Sequence, residues 1–181
     1  ILEFDLDSNA IDARGARPYL ERFIHGEIYR ARPDVHAIVH SHSPSVIPFS
    51  VTGVTLKPIF HLGGFLGCGT PIFEIRDAGG PDTDMLIRTP QLGIALARTL
   101  GDATYALMRG HGSVAVGKSL KQAVYRAIYG EVNARLQAEA SRLGTVTFLN
   151  ASEAANALAT NDEVLERPWE LLKIRVAGWP R

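Results

Sequence analysis

Two histidines stand two residues apart at the end of a short apolar run, Ala37-Ile38-Val39-His40-Ser41-His42. In a strand, residues i and i+2 point to the same face. His40 and His42 can therefore aim two imidazoles at one point, as a metal site requires. A third imidazole is available at His111, between Gly110 and Gly112 and directly after the apolar run Tyr105-Ala106-Leu107-Met108. Glycines there allow unusual backbone angles and close approach. Three histidines with an open position form the pattern of a catalytic zinc centre. Proton movement needs a further group. Glu21 and Glu27 lie on the helix before the histidine strand, which a tight Arg32-Pro33-Asp34 turn joins to it. Among Leu20, Phe23 and Ile24, Glu21 would be partly desolvated, and desolvation raises a carboxyl pKa toward a useful acid–base range. The competing assignment has two strand-end histidines in ordinary hydrogen bonds, and Glu21 paired with Arg17 or His25 on a solvated helix face.

The elements that must position these residues follow from periodicity and turn chemistry. Residues 1–6 alternate apolar and acidic, and with a turn at Asp7-Ser8-Asn9 they predict a hairpin to Ala10–Asp12. Pro18 suits a first helical turn, and Leu20, Phe23, Ile24 and Ile28 have helical spacing through Ala31. Val35–Val39 reads as the strand into the histidine pair. Val51–Ile59 reads as loop and short strand. His61–Gly69 is glycine-rich but lacks the Gly-Lys-Ser/Thr ending of a phosphate loop. Pro71–Ile75 is a short strand and Asp77–Asp84 a polar loop. Thr89 caps a helix with Pro90 at its first position, ending at Gly101. Tyr105–Met108 and Ser113–Val116 are strands. Ser119 caps a long helix to Leu143, with Val124, Ile128, Val132 and Leu136 as its apolar stripe. Val146–Leu149 is a last strand, before helices at Ala151–Ala159 and Asp162–Ala177. Short strands with helices between them favour an α/β sandwich around a mainly antiparallel sheet.

Length and charge narrow the function. The 181 residues fit one domain, 1–181. The 19 basic and 19 acidic residues balance, and no basic stripe stands out, so nucleic acid and an anionic membrane are not expected partners. No run of apolar residues is long enough to span a bilayer. One cysteine, Cys68, excludes an intramolecular disulfide framework and fits a reducing cytoplasm. Its Gly-Cys-Gly setting reads as a small buried residue more readily than as a catalytic thiol. The chain opens without methionine on a run that reads as a strand already under way, so preceding sequence is expected.

Four motifs in order carry a resemblance. They are Glu21-Arg-Phe-Ile-His-Gly-Glu-Ile-Tyr29, Arg32-Pro33-Asp34, His40-Ser41-His42-Ser43 and Arg109-Gly110-His111-Gly112. Together they resemble the class II aldolase/adducin family, which places a helix glutamate 19 residues before the first histidine of an H-x-H, as Glu21 stands to His40. The fuller phrasing Pro18–Tyr29, Val39–Pro48 and Leu107–Gly112 is similar to the branch that decarboxylates hydroxy-carboxymuconate semialdehydes and dihydroxyphthalates. The resemblance implies a three-layer α/β/α sandwich, part of whose N-terminal region is absent here. It implies a divalent cation held by His40, His42 and His111: zinc, or manganese, cobalt or iron.

The implied reaction is decarboxylation of a small carboxylated intermediate of aromatic degradation, through an enolate that the cation stabilises. Glu21 would supply a proton, and Arg109 would hold a carboxylate by a two-point contact. His61 stands where family aldolases supply a tyrosine from a neighbouring subunit, and would assist proton transfer there. Arg109 could instead form a structural ion pair, and His61 could simply pack. A homo-oligomer, often a tetramer, with sites at subunit interfaces is also implied. The alternatives are a sugar-phosphate aldolase or epimerase and a non-catalytic, adducin-like assembly domain.

Overall fold

The hairpin that carries His111 is the centre of the sheet. The computed structural model describes residues 1–178. In chain order the elements are α1 (Arg22–Ala31), β1 (Ala37–Ser41), α2 (Ile47–Val51), a 3-10 segment (His61–Cys68), β2 (Ile72–Phe73), α3 (Arg76–Gly79), α4 (Pro90–Leu100), β3 (Tyr105–Met108), β4 (Gly112–Gly117), α5 (Leu120–Leu143), α6 (Ala151–Glu163) and α7 (Glu166–Ala177). The sheet order is β1-β4-β3-β2. β1 and β3 run antiparallel to β4, and β2 runs parallel to β3.

Alternation along the strands divides the interior in two. On one face Ile38, Ala106, Met108, Val114 and Val116 pack against Ile24 and Ile28 of α1 and Leu96 and Leu100 of α4. On the other, Tyr105, Leu107 and Ala115 pack against Phe49, Phe65, Tyr125 and Ala134. Helices thus cover both faces of a mainly antiparallel sheet, the expected α/β/α arrangement. The register pairs Ile38 with Val116 and His40 with Val114. His40 therefore lies on the face that α1 covers, which is where Glu21 arrives.

Local signals set the helix ends as the sequence predicts. Thr89 accepts from the Leu92 N–H at 3.3 Å, and Ser119 from the Gln122 N–H at 3.2 Å. These caps satisfy N–H groups that have no intrahelical partner. Asn150 and Glu153 form a reciprocal capping box at the start of α6.

Five local expectations are corrected. The helix predicted from Pro18 begins only at Arg22, with Glu21 at the capping position and its carboxylate turned elsewhere. The N-terminal hairpin reduces to a single bridge between Phe4 and Ala10. Residues 146–149 form no strand, and neither do residues 51–59. Here the backbone of the 55–59 segment is already engaged by amide side chains of α5. Asn133 bonds the Ile59 N–H and the Lys57 carbonyl, and Gln137 the Lys57 N–H and the Thr55 carbonyl. Only one bond, from the Leu149 N–H to the Pro58 carbonyl at 3.0 Å, joins the two segments. Cys68 is exposed rather than buried, because the 3-10 segment surfaces at its end.

The largest correction is the orientation of α5. Its aliphatic stripe Val124, Ile128, Val132 and Leu136 is only half-buried. The core-facing positions are Gln122, Tyr125, Arg126, Gly130, Asn133 and Gln137. The amides serve loop backbone, and Gly130 makes room for a ring. A methyl on Gly130 would lie 2.6 Å from the ring of Tyr105, which is fully buried. The Tyr105 hydroxyl shares a 2.7 Å hydrogen bond with the Ser113 hydroxyl, so the ring cannot simply swing away. Gly130→Ala is expected to cost about 1–3 kcal/mol, as overpacking does. Denaturant unfolding would check it, and an unchanged midpoint would show that α5 can shift to admit the methyl.

Candidate metal centre

Glu21, His40, His42 and His111 come together. One ligand atom from each lies within 4.8 Å of all the others. The three imidazole centroids are 4.8–5.0 Å apart. His111 Nε2 lies 3.0 Å from His42 Nε2 and 3.5 Å from Glu21 Oε2, and His40 Nε2 lies 3.6 Å from the same oxygen. The expectation that alternation would turn His40 and His42 to one face agrees with this geometry.

Backbone carbonyls fix two of the rings. His40 Nδ1 is 3.1 Å from the Ser113 carbonyl, and His111 Nδ1 is 2.8 Å from the Met85 carbonyl. A carbonyl only accepts, so each Nδ1 carries the hydrogen and donates it. In the neutral imidazole the Nε2 lone pair then faces the cluster. Met85 has φ +73°, an unusual conformation for a non-glycine residue, and it aims its carbonyl at His111. Gly112 lets the two histidine-bearing segments meet: a Cβ there would lie 2.1 Å from the Ser41 carbonyl oxygen and 3.0 Å from His42 Cα.

The chemistry of this donor set fits a divalent cation. His40 Nε2 is buried and has no hydrogen-bond partner among the described residues. An unpaired buried polar atom is costly, and here it points at two further lone pairs and a carboxylate. Imidazoles with a carboxylate suit zinc, and also manganese, cobalt or iron.

Glu21 is almost fully buried. Its Oε1 accepts from the Ile87 N–H at 3.0 Å, and its Oε2 lies 3.4 Å from the Tyr19 hydroxyl, which donates. Burial pushes the Glu21 pKa up, as expected, but His111, His40 and the Ile87 N–H together pull it lower. The net direction is below the ordinary carboxylate range, which corrects the expectation of a raised value. Burial and the neighbouring His40 and His111 charges hold the His42 imidazole below its usual range. Burial and the Glu21 charge push the Tyr19 phenol up to about 12, so it remains a donor at neutral pH.

A cation and protons compete for these nitrogens. Cobalt(II), zinc or manganese is therefore expected to raise the unfolding midpoint. At a hundred times Kd the stabilisation is about 2.7 kcal/mol. The shift shrinks as pH falls through the imidazole range, since bound ligands must be unprotonated. Thermal scans from pH 5 to 8 with and without cation would check both points. A midpoint that no cation moves would argue against the centre.

His61 is not among the clustered side chains, and Arg109 contacts at 3.3 Å the sulfur of Met85, the residue whose carbonyl holds His111. The Arg109 guanidinium is bonded to Glu74 at 2.6 Å. Arg76 and Arg109 together hold the Glu74 carboxyl well below the usual range. His61 is exposed at the start of the 3-10 segment, where its carbonyl accepts from Asn161 Nδ2 at 2.9 Å. Sequence reasoning passed over Tyr19, Met85, Ile87 and Ser113. Met85, Ile87 and Ser113 act on the site through backbone groups, which no residue type announces. Tyr19, two residues before Glu21, was the one side chain that could have been noticed.

Comparison with known proteins covers the stretch that holds these residues. Residues 1–138 match the family described as Class II Aldolase and Adducin N-terminal domain. The chain is 35% identical, over 186 aligned positions, to the decarboxylase tropJ of Talaromyces stipitatus, covering 91% of this chain and 70% of that protein. It is 34% identical over 124 residues to the 3,4-dihydroxyphthalate decarboxylase of Arthrobacter keyseri, covering 67% of this chain and 48% of that one. The chain thus spans only about half the length of this second relative. Among solved structures, an aldolase II superfamily protein from Pseudomonas syringae superposes with a TM-score of 0.75 at 22% identity, over 96% of this chain and 69% of that one. That likeness concerns the fold.

Proposed function

Because the chain belongs to the class II aldolase and adducin family, we propose that it is a metal-dependent decarboxylase acting on a carboxylated intermediate of aromatic degradation, of the dihydroxyphthalate or hydroxy-carboxymuconate semialdehyde type. The observation that carries the proposal is the convergence of three imidazoles and a buried carboxylate, with His40 Nε2 left unpaired. The decarboxylases among the relatives support the reaction class.

His40, His42 and His111 would hold the cation, whose charge would stabilise negative charge developing on a substrate oxygen. The chain's own residues do the rest. Glu21 is ionised at rest, so it begins as a proton acceptor. It takes a proton from a substrate hydroxyl and passes it to the carbon that carbon dioxide leaves, and the substrate oxygen regains a proton from water as the product departs. The Ile87 N–H and the Tyr19 hydroxyl hold the carboxylate in place for both transfers. Arg109 would bind a substrate carboxylate by exchanging part of its contact with Glu74. His61 would serve a neighbouring copy's site in a homo-oligomer, in keeping with its exposure.

The test is carbon dioxide release from a panel of dihydroxyphthalates and carboxymuconate semialdehydes, with and without chelator. At least one substrate is expected to lose carbon dioxide, and chelator to suppress the loss. Cleavage of a phosphorylated ketose instead would favour the aldolase reading. Protein that binds no zinc or manganese would favour an assembly domain.

A further inference from the structure

Two of the three imidazoles are locked from behind, but the third is not. His40 and His111 each donate Nδ1–H to a carbonyl. His42 lies one residue past the end of β1 and is the most exposed of the three. Among the described residues, its ring has one polar contact, the approach to His111 Nε2. The placement of His42 therefore depends on the backbone that follows it, Ser43-Pro44-Ser45. One carboxylate grips that turn. Glu131, on α5, accepts from the Ser43 hydroxyl, the Ser45 hydroxyl and the Ser45 N–H, the last at 3.1 Å.

The grip is rigid at its other end. One residue before Glu131, Gly130 is seated against the Tyr105 ring, and Asn133 and Gln137 are bonded to the 55–59 backbone. Three hydrogen bonds to an ionised acceptor are individually strong. A carboxylate beside the apolar Val39, Pro44, Ile128 and Val132 also needs them to offset its desolvation. Glu131 itself stands outside the ligand cluster.

We infer that Glu131 is a positioning residue for the metal centre. It fixes the Ser43–Ser45 turn and, through that turn, supplies the orientation that the His42 ring lacks. This rests on reading the cluster as a cation site. Partners that orient a ligand usually change metal affinity by about 10–100-fold when removed.

The test is cobalt(II) titration of the metal-stripped protein, followed by visible absorption, on full-length variants. Glu131→Ala is expected to weaken cobalt binding by about 10–100-fold. Glu131→Gln, which keeps one acceptor oxygen for the turn, is expected to recover most of that loss. The same substitution is then made in two backgrounds that each retain two imidazoles and Glu21, with cobalt carried into the millimolar range so that the weakened affinity of each background is still measured. In His40→Ala, Glu131→Ala should still weaken binding; in His42→Ala it should add nothing, because its target is gone. Equal losses in both backgrounds, or undiminished affinity in Glu131→Ala, would overturn the inference. Should Glu131→Ala not fold, Ser45→Ala, which removes a hydroxyl that donates to Glu131, carries the comparison in the same two backgrounds. Failure of the unsubstituted protein to bind cobalt would overturn the cation reading itself, and this inference with it.

Discussion

His40→Ala is expected to lower kcat/KM for carbon dioxide release by roughly a thousandfold or more, and to abolish stoichiometric metal binding at micromolar cation. A Lewis acid contributes several kcal/mol to stabilising the developing charge, and each 1.4 kcal/mol is about tenfold in rate. Of the three proposed ligands, His40 is the one whose loss the site can least absorb. Its side chain is buried on the α1 face of the sheet, its Nδ1 is fixed by the Ser113 carbonyl, and its Nε2 has no hydrogen-bond partner among the described residues. His36→Ala is the control, since His36 is exposed and joins the sheet only through its backbone N–H to the Gly117 carbonyl. Metal analysis and the carbon dioxide assay on both variants give the comparison. An active, metal-loaded His40→Ala protein would remove the imidazole cluster from the reaction.

Glu21→Gln should separate metal holding from proton movement. The amide keeps the length of the side chain and an oxygen for the Ile87 N–H. It cannot take up a proton as the carboxylate does. A positioned acid–base group contributes about 10²–10⁴-fold, so kcat should fall by that order while bound cation falls far less. The pH profile carries a second signature. The neighbouring His111 and His40 imidazoles and the Ile87 N–H outweigh burial and hold Glu21 below the usual carboxylate range. Protonation of Glu21 therefore does not limit activity near neutrality. The acidic limb should instead report protons competing with the cation for the imidazoles, and should move to lower pH as cation is raised. A limb near pH 4.5 that ignores cation concentration would assign it to Glu21 instead. Undiminished kcat in Glu21→Gln would exclude the carboxylate from proton transfer.

How much of this was legible in the residues depends on what each residue uses to act. His40, His42 and His111 have side chains whose type and spacing are visible in the chain, and their i, i+2 spacing predicts a shared face for the first two even though His42 lies one residue past β1. Thr89, Ser119, Gly101 and Gly144 likewise mark their helix ends by type. The orientation of α5 was hidden, because Val124, Ile128 and Val132 satisfy a helical period as well as the true core face does. What decides between the faces is the fit of Gly130 to the Tyr105 ring and of Asn133 and Gln137 to a distant backbone. The direction of the Glu21 pKa was hidden for a related reason. Its burial could be guessed from Phe23 and Ile24, but the Ile87 N–H comes from a segment 66 residues away.

The register of β1 on β4 has a last consequence. His40 and His42 belong to β1 and the residue after it, His111 immediately precedes β4, and the two strands share one antiparallel ladder. Among the described residues β1 is also an outermost strand of the sheet, with β4 as its one ladder partner. Edge strands are where a native sheet frays first, and fraying here would draw the imidazoles of one strand away from that of the other. A cation gripping both would tie amide-proton exchange along Ile38–Ser41 to that of Ser113–Val116, so that the two runs of amides slow together on loading and revert together on chelation.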